Sequence, residues 1–211
     1  MQTVVRAVIL AAGASARMGR PKATLPLSHR ADTFLARIAR ALAAASLPEI
    51  VVVTGAAEDE VRRAAGQFDR RLRFVHNPRW QAGQLTSLLA GLGDDSPPVL
   101  EAVLVTLVDV PLVTAETIAA VVHAWRHSGA PLVRPVRGAT HGHPVLFDRS
   151  LFDELRAADA ATGAKAVVRA HAHEILEVPV DDPGAFVDVD TREEYAAMLA
   201  ELNPLSGPLQ H

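Results

Sequence analysis

The run AVLVTLV, residues 102–108, is apolar at nearly every position. A strand with one wetted face would alternate apolar and polar residues. A continuous apolar run instead reads as a strand buried on both faces, and such strands sit centrally in mostly parallel sheets. A sheet covered on both sides needs helices, and the chain supplies them. Residues 4–10 read as a first buried strand, 33–45 as a helix, 50–54 as a strand, 57–67 as a polar helix, 72–75 as a strand and 84–91 as a helix. After the central run, 114–127 reads as a helix with Thr114 as its N-cap, 132–136 and 144–147 as short strands, and 150–158 and 163–171 as helices. Residues 174–178 and 186–189 read as late strands, and 191–202 as a closing helix whose Thr191 and Glu194 form a capping box. Alternating strands and helices predict a three-layer α/β fold around a mostly parallel sheet. Ligands of such sheets bind outside the carboxyl ends of the strands, so the loops there hold the chemistry.

A length of 211 residues predicts one domain, read as 1–202, with a loosely held tail at 203–211. Hydrophobic residues at 49% and charged residues at 21% provide a core and exclude general disorder. Aromatics are only 4%, so that core is built from Ala, Val and Leu. A net charge of −3 without basic clusters points away from nucleic acid and from membrane surfaces. The absence of cysteine excludes disulfides, thiolate nucleophiles and cysteine-ligated zinc. No run reaches the ~20 apolar residues of a membrane span. Residues 4–14 mimic a signal peptide but lack a basic leader, and read as the first strand of a cytoplasmic protein.

The segment LAAGASARMGRPK, residues 10–22, follows the first strand directly. Its small residues let backbone N–H groups approach phosphate, and Arg17 and Lys22 can neutralise a triphosphate. Spacing excludes two commoner phosphate loops. Five residues separate Gly13 from Gly19 and Pro21 precedes Lys22, which is not a Walker A pattern, and no GxGxxG occurs.

This loop resembles the N-terminal signature of nucleotidyltransferases that activate molybdopterin and sugar phosphates, the molybdenum cofactor cytidylyltransferase group above all. The resemblance implies a three-layer Rossmann-like nucleotidyltransferase fold with a mostly parallel mixed sheet. It implies that Leu10, Ala11, Ala12 and Gly13 line the base and ribose, and that Arg17 and Lys22 hold the phosphates. Guanylyltransferases of the family more often carry glycine at the position of Ala12. CTP is therefore the favoured nucleotide, with GTP as the alternative.

VTLVDVP, residues 105–111, ends the buried strand in one carboxylate, Asp109. It either caps the next turn or meets a cation, and similar Asp-x-Pro motifs in the family supply a Mg²⁺ ligand. One carboxylate holds Mg²⁺ weakly, and a second plus substrate phosphates makes a usable site. The resemblance places the second at Asp190. Asp188, two residues away on a supposed strand, shares its face and either assists or bonds nearby backbone. Asp181 and Asp182 sit in an Asp-Asp-Pro-Gly turn and read as structural. The implied reaction is in-line attack of an acceptor phosphate on the α-phosphorus of an NTP. Mg²⁺, Lys22, Arg17 and Asp109 carry the catalysis, and pyrophosphate leaves.

The stretch HNPRWQAGQLTSLLAGL, residues 76–92, resembles the family's Asn-x-x-Trp-x-x-Gly segment. Thr54, Asn77, Gly83 and Ser87 are implied nucleotide contacts, Ser87 bonding either a ligand phosphate or its own helix. Trp80 is either a stacking platform for the acceptor or a core anchor. Gly142-His143-Pro144 matches a family motif beside the acceptor, which gives His143 an acceptor role. His141 and His143, like His171 and His173, have the spacing of zinc-binding strand histidines, but no third ligand follows. A family Gly-Asp-x-Gly-Ala-Arg stretch is here AATGAK, residues 160–165, so Gly163 and Ala164 match, the Gly-Asp pair is missing and Lys165 keeps only the charge. The implied partners are an NTP, molybdopterin or another phosphorylated small molecule, and a molybdoenzyme. The rivals are a sugar- or polyol-phosphate nucleotidyltransferase and a non-catalytic nucleotide-binding accessory protein.

Overall fold

A computed structural model of the chain describes residues 4–27, 32–93 and 100–202. The tail expected at 203–211 lies outside them. Eight strands form one sheet: β1 (Val4–Leu10), β2 (Glu49–Thr54), β3 (Leu72–His76), β4 (Leu100–Leu107), β5 (Leu132–Arg137), β6 (Thr140–His141), β7 (Val145–Asp148) and β8 (Ile175–Pro179). The order is β3-β2-β1-β4-β7-β5-β6, with β8 also paired to β5. Pairs β1–β2, β2–β3, β1–β4 and β5–β8 are parallel, while β7 is antiparallel to both β4 and β5. The mixed, mostly parallel sheet expected from the sequence is present, and β1 and β4 are central.

Seven α-helices among the described residues cover the sheet: α1 (Phe34–Ala44), α2 (Glu58–Ala64), α3 (Gln84–Leu92), α4 (Ala115–Ser128), α5 (Phe152–Ala157), α6 (Ala164–Ala170) and α7 (Arg192–Leu202). The period of two along β1 divides the core. Val5, Ala7 and Ile9 pack with Leu35, Ile38 and Leu42 of α1 and Ile118, Val121 and Trp125 of α4. Val8 and Leu10 pack on the opposite face with Leu85, Leu88 and Leu92 of α3, Phe152 and Leu155 of α5 and Val167 of α6. At about 25 cal/mol per Å², this two-faced burial is the main stabilising term.

The caps expected at Thr114 and Thr191 form, and Thr33, read from sequence as the first helical residue, is a further N-cap. Thr33 accepts from the Ala36 amide, and Thr114 from that of Thr117. Glu194 Oε2 accepts from the amides of Asp190 and Thr191, while the Glu194 amide donates to Thr191 Oγ1.

Two expectations need correction. The polar helix ends at Ala64, and a 3₁₀ segment follows from Gly66, whose φ of +55° breaks the helix. The late strand at 186–189 does not exist. Pro183–Phe186 is a 3₁₀ turn, and the chain then crosses the strand ends. Its backbone partners are loop groups: His143 N donates to Ala185 O, and Val189 N to Asp109 O. Asp188 and Asp190 therefore share a region without sharing a strand.

Candidate active site

The loop after β1 folds back beneath the strand ends. Ser15 holds φ +52°, a conformation costly for a non-glycine residue. Two bonds close the loop around it: Met18 N donates to Ser15 O at 2.9 Å, and Lys22 N to Ser15 Oγ at 3.1 Å. The sequence reading did not single out Ser15, although it lies within the motif.

This closure turns the Lys22 side chain inward, where it is 10% exposed. Its ammonium stands 2.9 Å from Asp109 Oδ2 and 2.5 Å from Asp190 Oδ1. Arg17, on the outside, donates to Asp190 Oδ2 at 2.9 Å. Four residues chosen from sequence thus converge from the β1 loop, the end of β4 and the entry to α7. Burial alone would lower the Lys22 pKa, but its bonds to Asp190 and Asp109 hold it above the ordinary lysine value. The Lys22 bond in turn holds the Asp190 carboxyl below its ordinary range, against a weaker upward push from burial.

A cleft of about 400 Å³ opens here. Its walls include Leu10, Ala11, Ala12, Gly13, Arg17, Lys22, Trp80, Ser87, Asp109 and Asp190 from the sequence reading, together with Ser15 and Gln84. Trp80 packs over Gly55, where a Cβ would lie 2.5 Å from the Ala12 carbonyl oxygen and 2.8 Å from the indole. Only glycine admits that approach. Trp80 therefore stands beside the β1 loop, not beside His143.

Thr54 and Asn77 lie behind the wall. Thr54 is buried, with its hydroxyl toward Val75 O at 3.4 Å. Asn77 Nδ2 donates to Thr86 Oγ1 at 2.9 Å and to Ser87 Oγ at 3.0 Å, and so fixes the start of α3. Gly83, at φ +118°, precedes that helix and lets Gln84 reach the cleft.

A second cleft of about 480 Å³ adjoins the first, and Leu10, Gln84 and Leu107 line both. It contains His143, Asp188, Arg134, His141 and Lys165 over an apolar floor. Burial pushes the His143 imidazole below its ordinary pKa, against the fields of Asp188 and Asp109. Burial also raises the Asp188 carboxyl, and neighbouring Asp109 adds to that shift. His141 pairs with Glu177, and His171 with Glu154 and Glu174. Among the described residues no group of three His, Asp or Glu side chains is arranged to hold a metal alone.

The donor set fits a hard cation completed by substrate oxygens. Asp109 Oδ1 is buried without a partner, and the other Asp109 oxygen converges with Asp190 on a single positive charge. Among the described residues no helix is long and apolar enough to cross a membrane.

The chain is similar to known proteins in sequence and in fold. The family described as MobA-like NTP transferase domain matches residues 7–175. The molybdenum cofactor cytidylyltransferase of Escherichia coli (strain K12) is 29% identical over 196 residues, covering 92% of this chain and 94% of that protein. The crystal structure of Rv0371c from Mycobacterium tuberculosis H37Rv superposes with a TM-score of 0.77 at 27% identity, covering 94% of this chain and 98% of that one. A crystal structure of Rv0371c in complex with manganese gives a TM-score of 0.73 at 26% identity, with 94% and 99% covered.

Proposed function

We propose that this chain, which belongs to the MobA-like NTP transferase family, transfers CMP from CTP to the phosphate of molybdopterin and releases pyrophosphate. The observation that carries the reading is the convergence of Lys22, Asp109 and Asp190 in the first cleft, which shares Leu10, Gln84 and Leu107 with the second. One cleft carries the phosphate loop, and the other is large enough for a ring-bearing acceptor. All described strands join one sheet, which supports reading 1–202 as a single nucleotidyltransferase domain. A cytoplasmic location belongs to the same reading.

The residues divide the work. The β1 loop presents small residues and backbone to the nucleotide, with Ala12 narrowing the base end in favour of a pyrimidine. Lys22 and Arg17 meet the α- and β-phosphate oxygens, where charge grows as the acceptor oxygen bonds to the α-phosphorus and the bridging oxygen of pyrophosphate departs. The acceptor phosphate is already ionised at neutral pH, so alignment replaces a general base. Asp109 and Asp190 would hold Mg²⁺, which would supply charge neutralisation on the phosphates. Asp188 and His143 border the acceptor side.

The name of the Escherichia coli relative supports the acceptor, and the manganese complex of Rv0371c supports a divalent cation. Pyrophosphate release is measured with each of the four NTPs and Mg²⁺, with and without purified molybdopterin. Release from CTP that requires molybdopterin is the expected result. Release with a polyol or sugar phosphate instead would reassign the acceptor, and failure of every NTP to bind would overturn the reading.

A further inference from the structure

The second cleft is lined by two kinds of side chain. Leu85, Leu88, Val145, Phe147 and Val168 give an apolar surface. Three basic side chains, Arg134, His141 and Lys165, line the cleft as well. Asp188 lines the same cleft and acts on His143, whereas the carboxylate that meets Arg134 and His141 is Glu177. Arg134 Nη2 donates to Glu177 Oε1 at 2.7 Å, and His141 Nε2 lies 3.1 Å from the same oxygen. Arg134 Nε is buried with no partner. Lys165 is exposed.

Among the described residues Glu177 alone accepts from Arg134 and His141, which leaves Arg134 with a donor in surplus, and a buried donor without a partner is a costly arrangement to keep. Arg134 is 17% exposed and locked by Glu177, so its fork is organised before any ligand arrives. It stands on β5, two strand spacings from β4, which is about 10 Å from the strand that presents Asp109. A group bound there is therefore distant from the reacting phosphate.

We propose that Arg134, flanked by Lys165 and His141, is a specificity-determining residue that selects acceptors with an apolar body and an oxygen-bearing edge, carbonyl or oxyanion, remote from the phosphate. Glu177 is a positioning residue that holds the Arg134 fork. The inference rests on the reading of the second cleft as the acceptor site. It adds which part of the acceptor is read, and by what.

Two fluorescent probes without phosphate test it: pterin-6-carboxylate, which carries an oxyanion and a ring carbonyl, and 6-hydroxymethylpterin, which carries the carbonyl alone. Each is titrated against the wild-type protein and against Arg134→Met, Arg134→Lys and Glu177→Gln. The wild type binds, Arg134→Met weakens binding at least tenfold and Arg134→Lys at least threefold. Arg134→Lys keeps the charge should Arg134→Met fail to fold. Glu177→Gln weakens probe binding severalfold while the KM for CTP stays unchanged, a split that general loss of structure would not produce. Losses for the carboxylate probe alone assign the site to an oxyanion, and losses for both assign it to the carbonyl. Equal affinities in wild type and both Arg134 variants overturn the inference, as does a wild type that binds neither probe. Arg134-dependent binding in a protein that transfers no nucleotide sustains the inference while sinking the proposed activity.

Discussion

The backbone amide of Val189 donates to the carbonyl oxygen of Asp109 across 2.9 Å. That bond ties the segment carrying Asp190 to the loop carrying Asp109. The capping box at the start of α7 restrains Asp190 from the other side, through its own amide. Backbone bonds thus set the spacing of the two carboxylates, and their side-chain charges are free to serve chemistry.

It follows that Asp109→Asn and Asp190→Asn separate charge from fold. Each amide keeps the shape of the side chain it replaces, loses the charge and exchanges one acceptor oxygen for an NH2 donor. Transfer should fall by at least about 10²-fold, the scale seen when one electrostatic stabiliser of a transition state is removed. The melting temperature should move by no more than about 3 °C, since the backbone ties remain. Steady-state pyrophosphate release at saturating NTP, with parallel thermal melts, checks both. Full activity in both variants would remove the metal assignment.

Lys22 makes the opposite test. In the free protein its ammonium stands where Asp109 and Asp190 converge, so it competes with a divalent cation for their charge. Lys22→Met should tighten Mn²⁺ binding to the nucleotide-free protein severalfold, read by the loss of the free-ion paramagnetic resonance signal. The same variant should lose about 10²-fold or more in transfer, because the phosphates lose a cation. Weaker Mn²⁺ binding would show that the lysine arranges the carboxylates and does not compete for them.

Much of this architecture is written in local sequence. The continuous apolar run of β4, the small-residue loop after β1 and the Thr33, Thr114 and Thr191 caps each depend on neighbours within a few residues. What escapes is set by distant partners. Residues 186–189 have strand-like composition, but β8 and β7 flank β5 and no strand neighbour meets this segment, so it crosses the loops. Thr54 and Asn77 are polar residues near strand ends, and sequence does not say whether such groups turn to a ligand or to protein. Here Asn77 bonds Thr86 and Ser87. Arg134 was invisible as a site residue because the pairing of β5 with β7 and β8 brings it beside His141 and Lys165.

A pH-dependent clamp closes the end of α6 onto α5. His171, after α6, contacts Glu174 Oε1 at 2.7 Å and Glu154 Oε2 of α5 at 2.8 Å. Glu154 first, then Glu174, raise its pKa above the ordinary imidazole value. A raised folded-state pKa gives stability that is fully present below the unfolded value of about 6.5 and is lost as pH rises through the raised value. His171→Gln should therefore lower the melting temperature by roughly 1–4 °C at about pH 6, as befits a solvated ion pair. The gap should close by about pH 9. A gap independent of pH would mean that the ring acts by packing, not by charge.

Asp182 differs from Asp109 in everything but its carboxylate. It is buried, and all its bonds are internal. Oδ2 accepts from Thr114 N, Thr114 Oγ1 and Thr117 Oγ1 at 2.9, 2.8 and 2.7 Å, and Oδ1 accepts from Gly184 N at 3.0 Å. One side chain therefore pins the N-terminus of α4 to the 3₁₀ turn that leads toward Asp188 and Asp190. Asp182→Ala leaves those buried donors unpaired, at a cost of about 3 kcal/mol. For a chain of this size that is roughly a 10 °C fall in melting temperature. Asp181→Asn, at the exposed neighbour, should change little. Because the turn also sets the approach to Asp190, activity measured well below the Asp182→Ala melting point should fall through a higher KM for NTP, with kcat less affected. An Asp182→Ala protein that melts like the wild type yet loses transfer would move Asp182 from the scaffold to the site.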